Sequence, residues 1–429
     1  MKKVYWTLSA LVLAAMLLVG SISVFDRDET FSPSENRPLK TFPRLTFSSL
    51  LDGSFTSDFS AYYADTFPGR ETLMEVNRLL NGFYYFVGLG DSQNGSLILD
   101  FNSNGAGQGE ALKDDNTTPV PTQPAQTVVE NLGSVLLVGD SAFDVPYANE
   151  PGILRYARAV NGIARTLGDG VTTYWMPIPN SAEFYTPEEY HTGANSQKAM
   201  FDLCLENLED VTYVDAYGAL AAHQDEYLYF RTDHHWTHLG GYYAYTALGQ
   251  AAGFTPDPLS AFDGGQWENF VGSLYTYSAG YPQAAVLKEN PDTVYYWKPH
   301  VACSTNYYST TALSDPYPTG TICHIGEQVT NKYLTFMGGD HPVTVVKTET
   351  DGPCILVIKE SYGNALISWL TGHYSRIILI DPREYFKVNS GIDLAEFAQS
   401  QGVTQCLIVN YPMMLGSEGY ISHLEHLAQ

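Results

Sequence analysis

Apolar and polar positions alternate in blocks along the chain from residue 133 onward. Short continuous apolar runs such as "SVLLVGD" predict buried strands, whereas apolar residues at spacings of three and four predict amphipathic helices. The stretch "ILRYARAVNGIARTLG" has this helical spacing and ends at a glycine, a common helix C-terminus. The regular exchange of strand and helix predicts βαβ units, and therefore an α/β fold with a mostly parallel sheet flanked by helices.

The same alternation continues to the C-terminus. Further strands are predicted in the runs VTTYWMPIP, VTYVDAY, CILVIK, RIILI and VTQCLIVN. Further helices are predicted in the runs GANSQKAMFDLCLENL, LGGYYAYTALGQAAGF, SYGNALISWL and EFAQSQG. The rhythm breaks between residues 261 and 346, where Tyr, Thr and Gly are abundant. This segment predicts β-rich excursions over the sheet.

The chain before residue 131 divides into two segments of different character. Segment 26–100 predicts helices at about 53–63 and 70–82 and a short strand in "NGSLILD", and we expect it to pack on the domain that follows. Segment 101–130 is rich in Gly, Asn, Pro and Thr without apolar periodicity, which predicts a flexible loop. Residues 131–429 then form the α/β domain.

The first 25 residues predict a membrane anchor. The 21 residues from 4 to 24 carry no charge, and a helix of that length spans a bilayer at about 1.5 Å per residue. Lys2 and Lys3 precede this stretch, which places the N-terminus in the cytoplasm and the rest of the chain outside. Small residues at Ser21 and Ser23 leave a cleaved signal peptide as the alternative. Both alternatives predict an extracytoplasmic protein.

Composition narrows the range of partners. The chain has 22 Lys and Arg against 47 Asp and Glu, a formal charge of −25, which argues against nucleic acids and anionic lipid surfaces as main partners because either would be repelled. Five cysteines in 429 residues do not form a disulfide scaffold. Cys303 and Cys323 bracket one segment and are candidates for a disulfide, whereas Cys354 and Cys406 lie in apolar strands and should be buried.

Three serines are candidate nucleophiles. Ser141 follows an apolar strand in "LLVGDSAFDVP", but the turn-rich residues after it favour an ordinary strand exit. Ser181 in "IPNSAEFY" has weaker support. Ser361 in "ILVIKESYGNALISWL" stands where a buried strand passes directly into a helix, at the sheet edge where α/β proteins bind ligands. Helix N–H groups at such a corner can stabilise an oxyanion, although a plain helix N-cap explains the same pattern.

The stretch "RTDHHWTH" contains an aspartate and three histidines. One interpretation is a zinc site with Asp233, His235 and His238 as ligands. A second is part of a catalytic triad, with His235 as general base and Asp233 fixing its tautomer. In an extended segment His234 would then point away from His235 and lie outside the triad. The third interpretation is a solvated histidine-rich loop.

The residues Asp233 to Trp236 spell DHHW, and the sequence resembles the DHHW proteins. Those proteins are related to the SGNH-hydrolase-like catalytic domains of bacterial alginate O-acetyltransferases. Further similar blocks occur in matching order: SENRPLKTFP, FSAYYADTFPGRE, VIKESYGNALISWL and IILIDPREY. The resemblance covers most of the chain outside the predicted loop and implies an SGNH-hydrolase-like α/β fold.

The resemblance also implies roles for individual residues. In the alginate enzymes an Asp-x-His-Trp block precedes the serine, and the order is the same here. Ser361 then corresponds to the nucleophile, His235 to the base and Asp233 to the orienting carboxylate. One departure is Glu360, where the relatives more often carry Asp or Thr. A negative charge at this position would raise the pKa of the histidine if it were close, but would also oppose an oxyanion.

Trp236, Tyr362 and Asn364, which neighbour these residues in the matching blocks, are the expected substrate-binding residues. The implied function is an extracytoplasmic, serine-dependent O-acyl (acetyl) transferase or esterase acting on a cell-surface or secreted polysaccharide, without cofactor or metal. By analogy, a membrane-bound O-acyltransferase is the implied partner that supplies the acyl group. The alternative is a non-catalytic polysaccharide-binding or scaffold protein that keeps the SGNH-like shape.

Overall fold

The computed structural model describes residues 31–32, 37–38, 41–45, 55–56, 59, 62–63, 66–67, 129–132 and 134–429. Internal contacts divide the chain into two units, Met1–Ser103 and Asn104–Gln429. Several predicted features lie outside the described residues: the anchor at 1–25, the helix at 70–82, the strand at 94–100 and most of the loop at 101–130. Within the described part of the chain, no helix combines the length and apolar character needed to span a bilayer.

The described residues of the first unit form a short hairpin and one helical stretch. Strand β1 (Phe31–Ser32) pairs antiparallel with β2 (Arg37–Pro38). The described residues between 55 and 63 are helical, in agreement with the helix predicted there. Aromatic rings of the described residues contact one another: the Phe42 ring lies 5.9 Å from that of Phe59 and 5.2 Å from that of Tyr62.

The second unit contains the remaining strands and ten named helices in its described residues. The strands are β3 Val129–Leu132, β4 Val135–Val138, β5 Ser141–Phe143, β6 Thr172–Pro177, β7 Val211–Tyr213, β8 Asp263–Phe270, β9 Asp292–Lys298, β10 Cys303–Tyr308, β11 Tyr317–Thr319, β12 Val343–Thr348, β13 Cys354–Lys359, β14 Arg376–Ile380 and β15 Val403–Asn410. The helices are α1 Glu150–Leu167, α2 Ala182–Tyr185, α3 Gln197–Leu205, α4 Ala216–Ala221, α5 His238–Ala252, α6 Ser273–Ser278, α7 Ala285–Glu289, α8 Pro382–Val388, α9 Leu394–Gln401 and α10 Glu418–Leu427, with a 3₁₀ helix at Ser361–Gly372.

Eight strands form the main sheet in the order β11-β10-β12-β14-β13-β15-β6-β7. The five strands from β14 to β7 are parallel, as the strand–helix alternation predicts. The other three extend the sheet antiparallel from β14. The sheet is therefore mixed. The β-rich excursions predicted between 261 and 346 divide in two, because β8 and β9 form a separate hairpin whereas β10, β11 and the start of β12 join the main sheet.

Helices cover both faces of this sheet. Strand β13 lies between β14 and β15 and is buried along its whole length, which explains its continuous apolar run. On one face α1, α3, α9 and α10 contribute to a core that includes Tyr156, Ile163 and Leu424. On the other face α5 and the 3₁₀ helix contribute to a core that includes Tyr245 and Trp369.

The predictions for the helix in "ILRYARAVNGIARTLG" and for the strand in "SVLLVGD" have different outcomes. Helix α1 is confirmed: the Asn149 side chain accepts from the Gly152 N–H at its start, and Gly168 ends it at φ 71°. The run "SVLLVGD" does form a buried strand, β4, but that strand pairs antiparallel with β3 and β5 and lies outside the main sheet. Strand β3 also begins inside the predicted flexible loop.

Of the two expectations for the cysteines, burial is correct and the disulfide is wrong. Cys354 and Cys406 are buried in β13 and β15, as predicted. Cys303 and Cys323, put forward as a disulfide, carry free thiols. Cys323 lies beyond the hairpin position opposite Cys303, since β10 and β11 pair with Thr305 opposite Thr319.

Candidate active site

Ser361 follows the end of β13, a parallel strand near the middle of the main sheet. Strand β13 ends at Lys359, and the 3₁₀ helix begins at Ser361. Glu360 between them is the N-cap, with its carboxylate accepting from the Tyr362 N–H at 3.0 Å. Carboxyl ends of parallel strands are where α/β sheets place ligands. The predicted strand-to-helix corner is therefore present, with a 3₁₀ rather than an α-helix after it.

Asp233 and His235 lie in a tight turn that leads into α5. Tyr229 and Trp236 form an isolated antiparallel bridge around this turn, and the Phe230 N–H donates to the His235 carbonyl at 3.3 Å. The Asp233 carboxylate points toward the backbone of the turn, where it accepts a hydrogen bond from the His235 N–H at 3.0 Å. The local fold thus directs the Asp233 and His235 side chains into one cleft.

The structure brings Ser361, His235 and Asp233 into one continuous chain of hydrogen bonds. His235 Nε2 lies 2.8 Å from Ser361 Oγ, and His235 Nδ1 lies 2.6 Å from Asp233 Oδ1. A carboxylate only accepts, so Nδ1 carries the proton and Nε2 is free to accept from the serine hydroxyl. Asp233 and His235 are buried, whereas Ser361 is half-buried and reaches solvent.

The Asp233 carboxylate is held ionised by its surroundings. Burial by itself would raise its pKa, but the charge and hydrogen bond of His235, together with His234 and the Ser273 N–H, bring the pKa below its usual range. The Ser273 N–H donates to Asp233 Oδ2 at 2.8 Å. Gly272 allows this approach, because a Cβ there would lie 2.2 Å from the Asp233 Cβ.

Tyr333 touches both His235 and Ser361. Its ring stacks on the imidazole of His235, with centroids 3.8 Å apart and planes 11° apart. Its hydroxyl donates to the Ser361 carbonyl at 3.0 Å. The sequence does not single out this residue, since it lies in the tyrosine-rich segment 261–346 without a recognisable motif. Tyr333 therefore fixes the relative position of His235 and Ser361.

Glu360 is fully buried beside the serine, yet its oxygens face backbone donors. They accept from the N–H groups of Tyr362 and Tyr411 at 3.0 and 3.2 Å, and one lies 3.4 Å from Ser361 Oγ. Burial raises the pKa of Glu360, against the opposing effect of Arg383 and these N–H groups. Glu360, which stands where the relatives more often carry Asp or Thr, thus caps the 3₁₀ helix and also approaches the serine hydroxyl.

His234 lies closer to the site than the sequence predicted. Its ring centroid is 3.8 Å from that of His235, so the two side chains do not point to opposite sides. The predicted orientation of the His234 side chain was wrong because the segment is a turn rather than an extended strand. His234 Nδ1 lies 2.5 Å from Ser273 Oγ. Burial, with the charge of His235, lowers the pKa of His234 to about 3, which keeps its imidazole neutral.

The structure does not assemble the zinc ligands proposed from the sequence. His238 is fully buried, its Nδ1 accepts from the Trp297 N–H at 3.0 Å and its Nε2 lies 2.7 Å from Ser368 Oγ. Within the described residues, potential ligand atoms of Asp233, His234 and His235 do lie within 4.8 Å of one another. Both ring nitrogens of His235 are occupied by Asp233 and Ser361, so this group fits proton transfer better than metal coordination.

The residues expected to bind substrate lie beneath the site instead. Trp236 and Tyr362 are fully buried, and Asn364 is 2% exposed. The Trp236 indole donates to the Tyr362 carbonyl at 2.8 Å, and the Tyr362 hydroxyl donates to the His234 carbonyl. Asn364 Nδ2 donates to Asp340 at 2.8 Å. Trp236 and Tyr362 therefore hold the backbone of the site, whereas Asn364 holds the Asp340 side chain, and none of the three presents a surface to a substrate here.

The other two candidate serines lie in different settings. Ser141 begins β5 in the separate three-stranded sheet, and its hydroxyl donates to Asp140 Oδ1 at 3.3 Å. Ser181 is the buried residue that precedes α2.

The fold and the site together define an α/β protein with a Ser–His–Asp chain at the carboxyl edge of a mixed sheet. The family model described as "DHHW protein" matches residues 35–99 and 91–380, so the chain belongs to the DHHW family.

Solved structures show the same fold. A DHHW family protein from Eubacterium siraeum is 27% identical and superposes with a TM-score of 0.61, covering 70% of this chain and 97% of that one. Bacillus cereus PatB1, solved with a sulfonyl adduct, is 16% identical with a TM-score of 0.53, covering 70% and 98%. The O-acetyltransferase domain of Pseudomonas putida AlgJ is 16% identical over 70% and 99%, but its TM-score of 0.40 does not establish a shared fold. No curated protein sequence shows significant similarity to the chain.

Proposed function

We propose that this protein is a serine-dependent O-acyltransferase or esterase with Ser361 as nucleophile, His235 as general base and Asp233 as the carboxylate that orients the base. The observation that carries the proposal is the hydrogen-bond chain from Ser361 Oγ through His235 to Asp233, at 2.8 and 2.6 Å. Such a chain activates a hydroxyl that is otherwise a weak nucleophile at neutral pH.

In the proposed reaction, His235 Nε2 takes the proton from Ser361 as Oγ attacks the carbonyl carbon of an acyl ester. The ester C–O bond then breaks, and His235 gives the proton to the departing alcohol. The acyl group remains on Ser361 as an ester. A sugar hydroxyl or water, deprotonated in turn by His235, attacks the acyl-serine and restores the free hydroxyl. Ionised Asp233 stabilises the imidazolium in both halves.

The oxyanion of each half-reaction needs hydrogen-bond donors close to Ser361 Oγ. The Ser361 N–H is the first of the 3₁₀ helix and has no partner within that helix. The Tyr362 N–H donates to Glu360. The Ser361 N–H is therefore the backbone donor that we assign to the oxyanion.

The substrate proposed is an O-acylated or acceptor polysaccharide outside the cytoplasm. Support comes from the resemblance of the sequence blocks to alginate O-acetyltransferases and from the uncharged stretch at 4–24. Unlike alginate, which is a polyanion, the polysaccharide proposed here is neutral, because the formal charge of −25 disfavours polyanionic partners. By the same analogy, a membrane-bound O-acyltransferase would supply the acyl group, and the N-terminal segment would hold the protein at the membrane. No cofactor or metal takes part in the proposed reaction.

Active-site labelling tests this proposal. Sulfonyl and fluorophosphonate groups react with activated serine hydroxyls, and the PatB1 structure carries a sulfonyl adduct. We expect a fluorophosphonate probe to label the wild-type protein and the Ser141→Ala variant, but not Ser361→Ala. Glycan binding by a protein that no probe labels would instead support the alternative, a non-catalytic polysaccharide-binding protein.

A further inference from the structure

The three antiparallel strands of the main sheet also reach the edge that carries Ser361. Val343, the first residue of β12, pairs with Ile380, the last residue of β14. Tyr308 at the end of β10 pairs with Val343, and Tyr307 pairs with Tyr317 at the start of β11. Because these strands run antiparallel, Tyr307 and Tyr317 lie at the edge where β13 delivers the serine.

Three rings stack on one another at this edge. The ring of His341 lies 3.9 Å from that of Tyr307 with planes 4° apart, and the ring of Tyr307 lies 5.2 Å from that of Tyr317 with planes 16° apart. His341 is 7% exposed whereas Tyr317 is 51% exposed. This aromatic ladder, His341–Tyr307–Tyr317, therefore runs from the interior to an open tyrosine at the surface.

The inner end of the aromatic ladder is tied to the serine corner. His341 follows Asp340, whose carboxylate accepts from Lys359 Nζ and from Asn364 Nδ2, both at 2.8 Å. Lys359 ends β13, and Asn364 lies in the 3₁₀ helix one turn after Ser361. Four strand-to-strand steps separate β11 from β13, a distance of about 19 Å at roughly 4.8 Å per step. The ladder is thus held at a fixed distance from the serine.

A cavity begins one residue from the ladder and extends along β10 and β11 away from the edge that carries Ser361, since Cys303 pairs with Thr348 at the opposite end of the sheet. It has a volume of about 460 Å³, and its lining includes polar residues such as Thr305, Asn306 and Thr319 beside apolar ones such as Ile322. Hydroxyl and amide groups of this kind pair with sugar hydroxyls, and the flat face of an aromatic ring packs against the C–H face of a pyranose. With a chain charge of −25, a polyanionic glycan would be repelled.

We propose that the aromatic ladder forms a binding subsite for a neutral polysaccharide chain that extends across the sheet edge to Ser361 in one direction and toward the adjoining cavity in the other. Only the chemistry at the inner end of the subsite rests on the proposed function. The binding of glycan by the subsite does not depend on it. A stack whose rings are already fixed in place loses little side-chain freedom on binding, which favours affinity.

Affinity electrophoresis and calorimetry of the purified full-length protein test the subsite. The probes are xylan, hydroxyethylcellulose and pullulan as neutral polysaccharides, with alginate as the anionic comparison. All binding is measured in the Ser361→Ala background, so that the result does not depend on whether Ser361 reacts with esters. The variants added to that background are Tyr317→Ala, Tyr307→Ala and Tyr317→Phe.

We expect at least one neutral polysaccharide to bind, alginate to bind less tightly, and Tyr317→Ala to weaken neutral binding by about tenfold, the upper end of one exposed stacking contact. Tyr317→Phe keeps the ring and should bind within about twofold of the parent. Since cross-strand aromatic pairs also stabilise sheets, melting curves must show Tyr317→Ala folded. Absence of neutral-glycan binding, or equal binding by a folded Tyr317→Ala protein, would overturn the proposal.

Discussion

At the scale of single residues, His234 and His235 are adjacent histidines with different surroundings. His235 bridges Asp233 and Ser361, whereas His234 contacts Ser273 and has a pKa of about 3. We predict that His235→Ala lowers ester hydrolysis as far as Ser361→Ala does, by at least about a thousandfold. His234→Ala should keep more activity than His235→Ala, in steady-state assays with an activated acetyl ester. The reverse ranking would show that the base is wrongly assigned.

Tyr333 permits a second prediction at this scale, because its ring and its hydroxyl make separate contacts. Tyr333→Phe removes only the hydrogen bond to the Ser361 carbonyl, worth about 1 kcal/mol, so ester hydrolysis should fall by roughly fivefold. Tyr333→Ala also removes the stack on His235 and should lose distinctly more activity. Equal losses in the two variants would mean that the stack does not position the imidazole.

The residues of the site were only partly predictable from the sequence. The Asp-x-His spacing and the strand-to-helix corner made Asp233, His235 and Ser361 candidates because both signals are local, and the resemblance to the DHHW proteins implied their roles. Tyr333 and Ser273 were not predictable, since their contacts depend on how distant segments pack. The burial of Trp236, Tyr362 and Asn364 was missed for the same reason: sequence proximity to a site does not reveal which way a side chain faces.

At the scale of elements, α5 and the 3₁₀ helix meet at a glycine. A Cβ on Gly241 would lie 2.5 Å from the Ala365 carbonyl oxygen. We predict that Gly241→Ala destabilises the fold by about 1–3 kcal/mol, because it forces the two helices apart despite the better helix propensity of alanine. Denaturant unfolding measures the difference. Gly280→Ala, where an added Cβ meets no atom within 4 Å, is the control and should change stability by less than about 0.5 kcal/mol.

The elements themselves were predicted unevenly. Strands β13, β14 and β15 and helix α1 follow from apolar runs and helical spacing, since each buries its apolar face within the main sheet or against it. Strand β4 has the same apolar run, but its partners β3 and β5 lie next to it in the sequence and form a separate sheet. The antiparallel extension by β10 to β12 was not predictable, because the residue pattern of a strand does not show which distant strand it pairs with or in which direction.

At the scale of the whole molecule, the ionisation of Asp144 links stability to pH. Burial raises its pKa to about 8, helped by the charge of Asp233 and opposed by hydrogen bonds, including that from Asn180. A carboxyl with a raised folded pKa stabilises the fold at acidic pH and loses that contribution as pH rises through the folded value. We predict that the melting temperature of Asp144→Asn, relative to wild type, increases between pH 5 and pH 8. A constant difference would contradict this.

Metal dependence is a second property of the whole molecule. It distinguishes the two chemistries considered for the histidine cluster, proton transfer and metal coordination. Both ring nitrogens of His235 are hydrogen-bonded, and His238 is turned toward Trp297 and Ser368. We therefore expect ester hydrolysis to survive prolonged treatment with EDTA. Loss of activity, restored by added zinc, would show that the cluster acts through a metal.

The central claim is that an acyl group forms a covalent ester with Ser361. Peptide mapping by mass spectrometry, after brief reaction with an activated acetyl ester and acid quenching, tests it most directly. We predict one acetyl group on the wild-type protein, located in the peptide that contains Ser361, and none at this position in Ser361→Ala or His235→Ala. The Ser141→Ala protein should be acetylated as wild type. Acetylation of Ser141 instead, or turnover of the ester without any acetylated serine, would contradict the account.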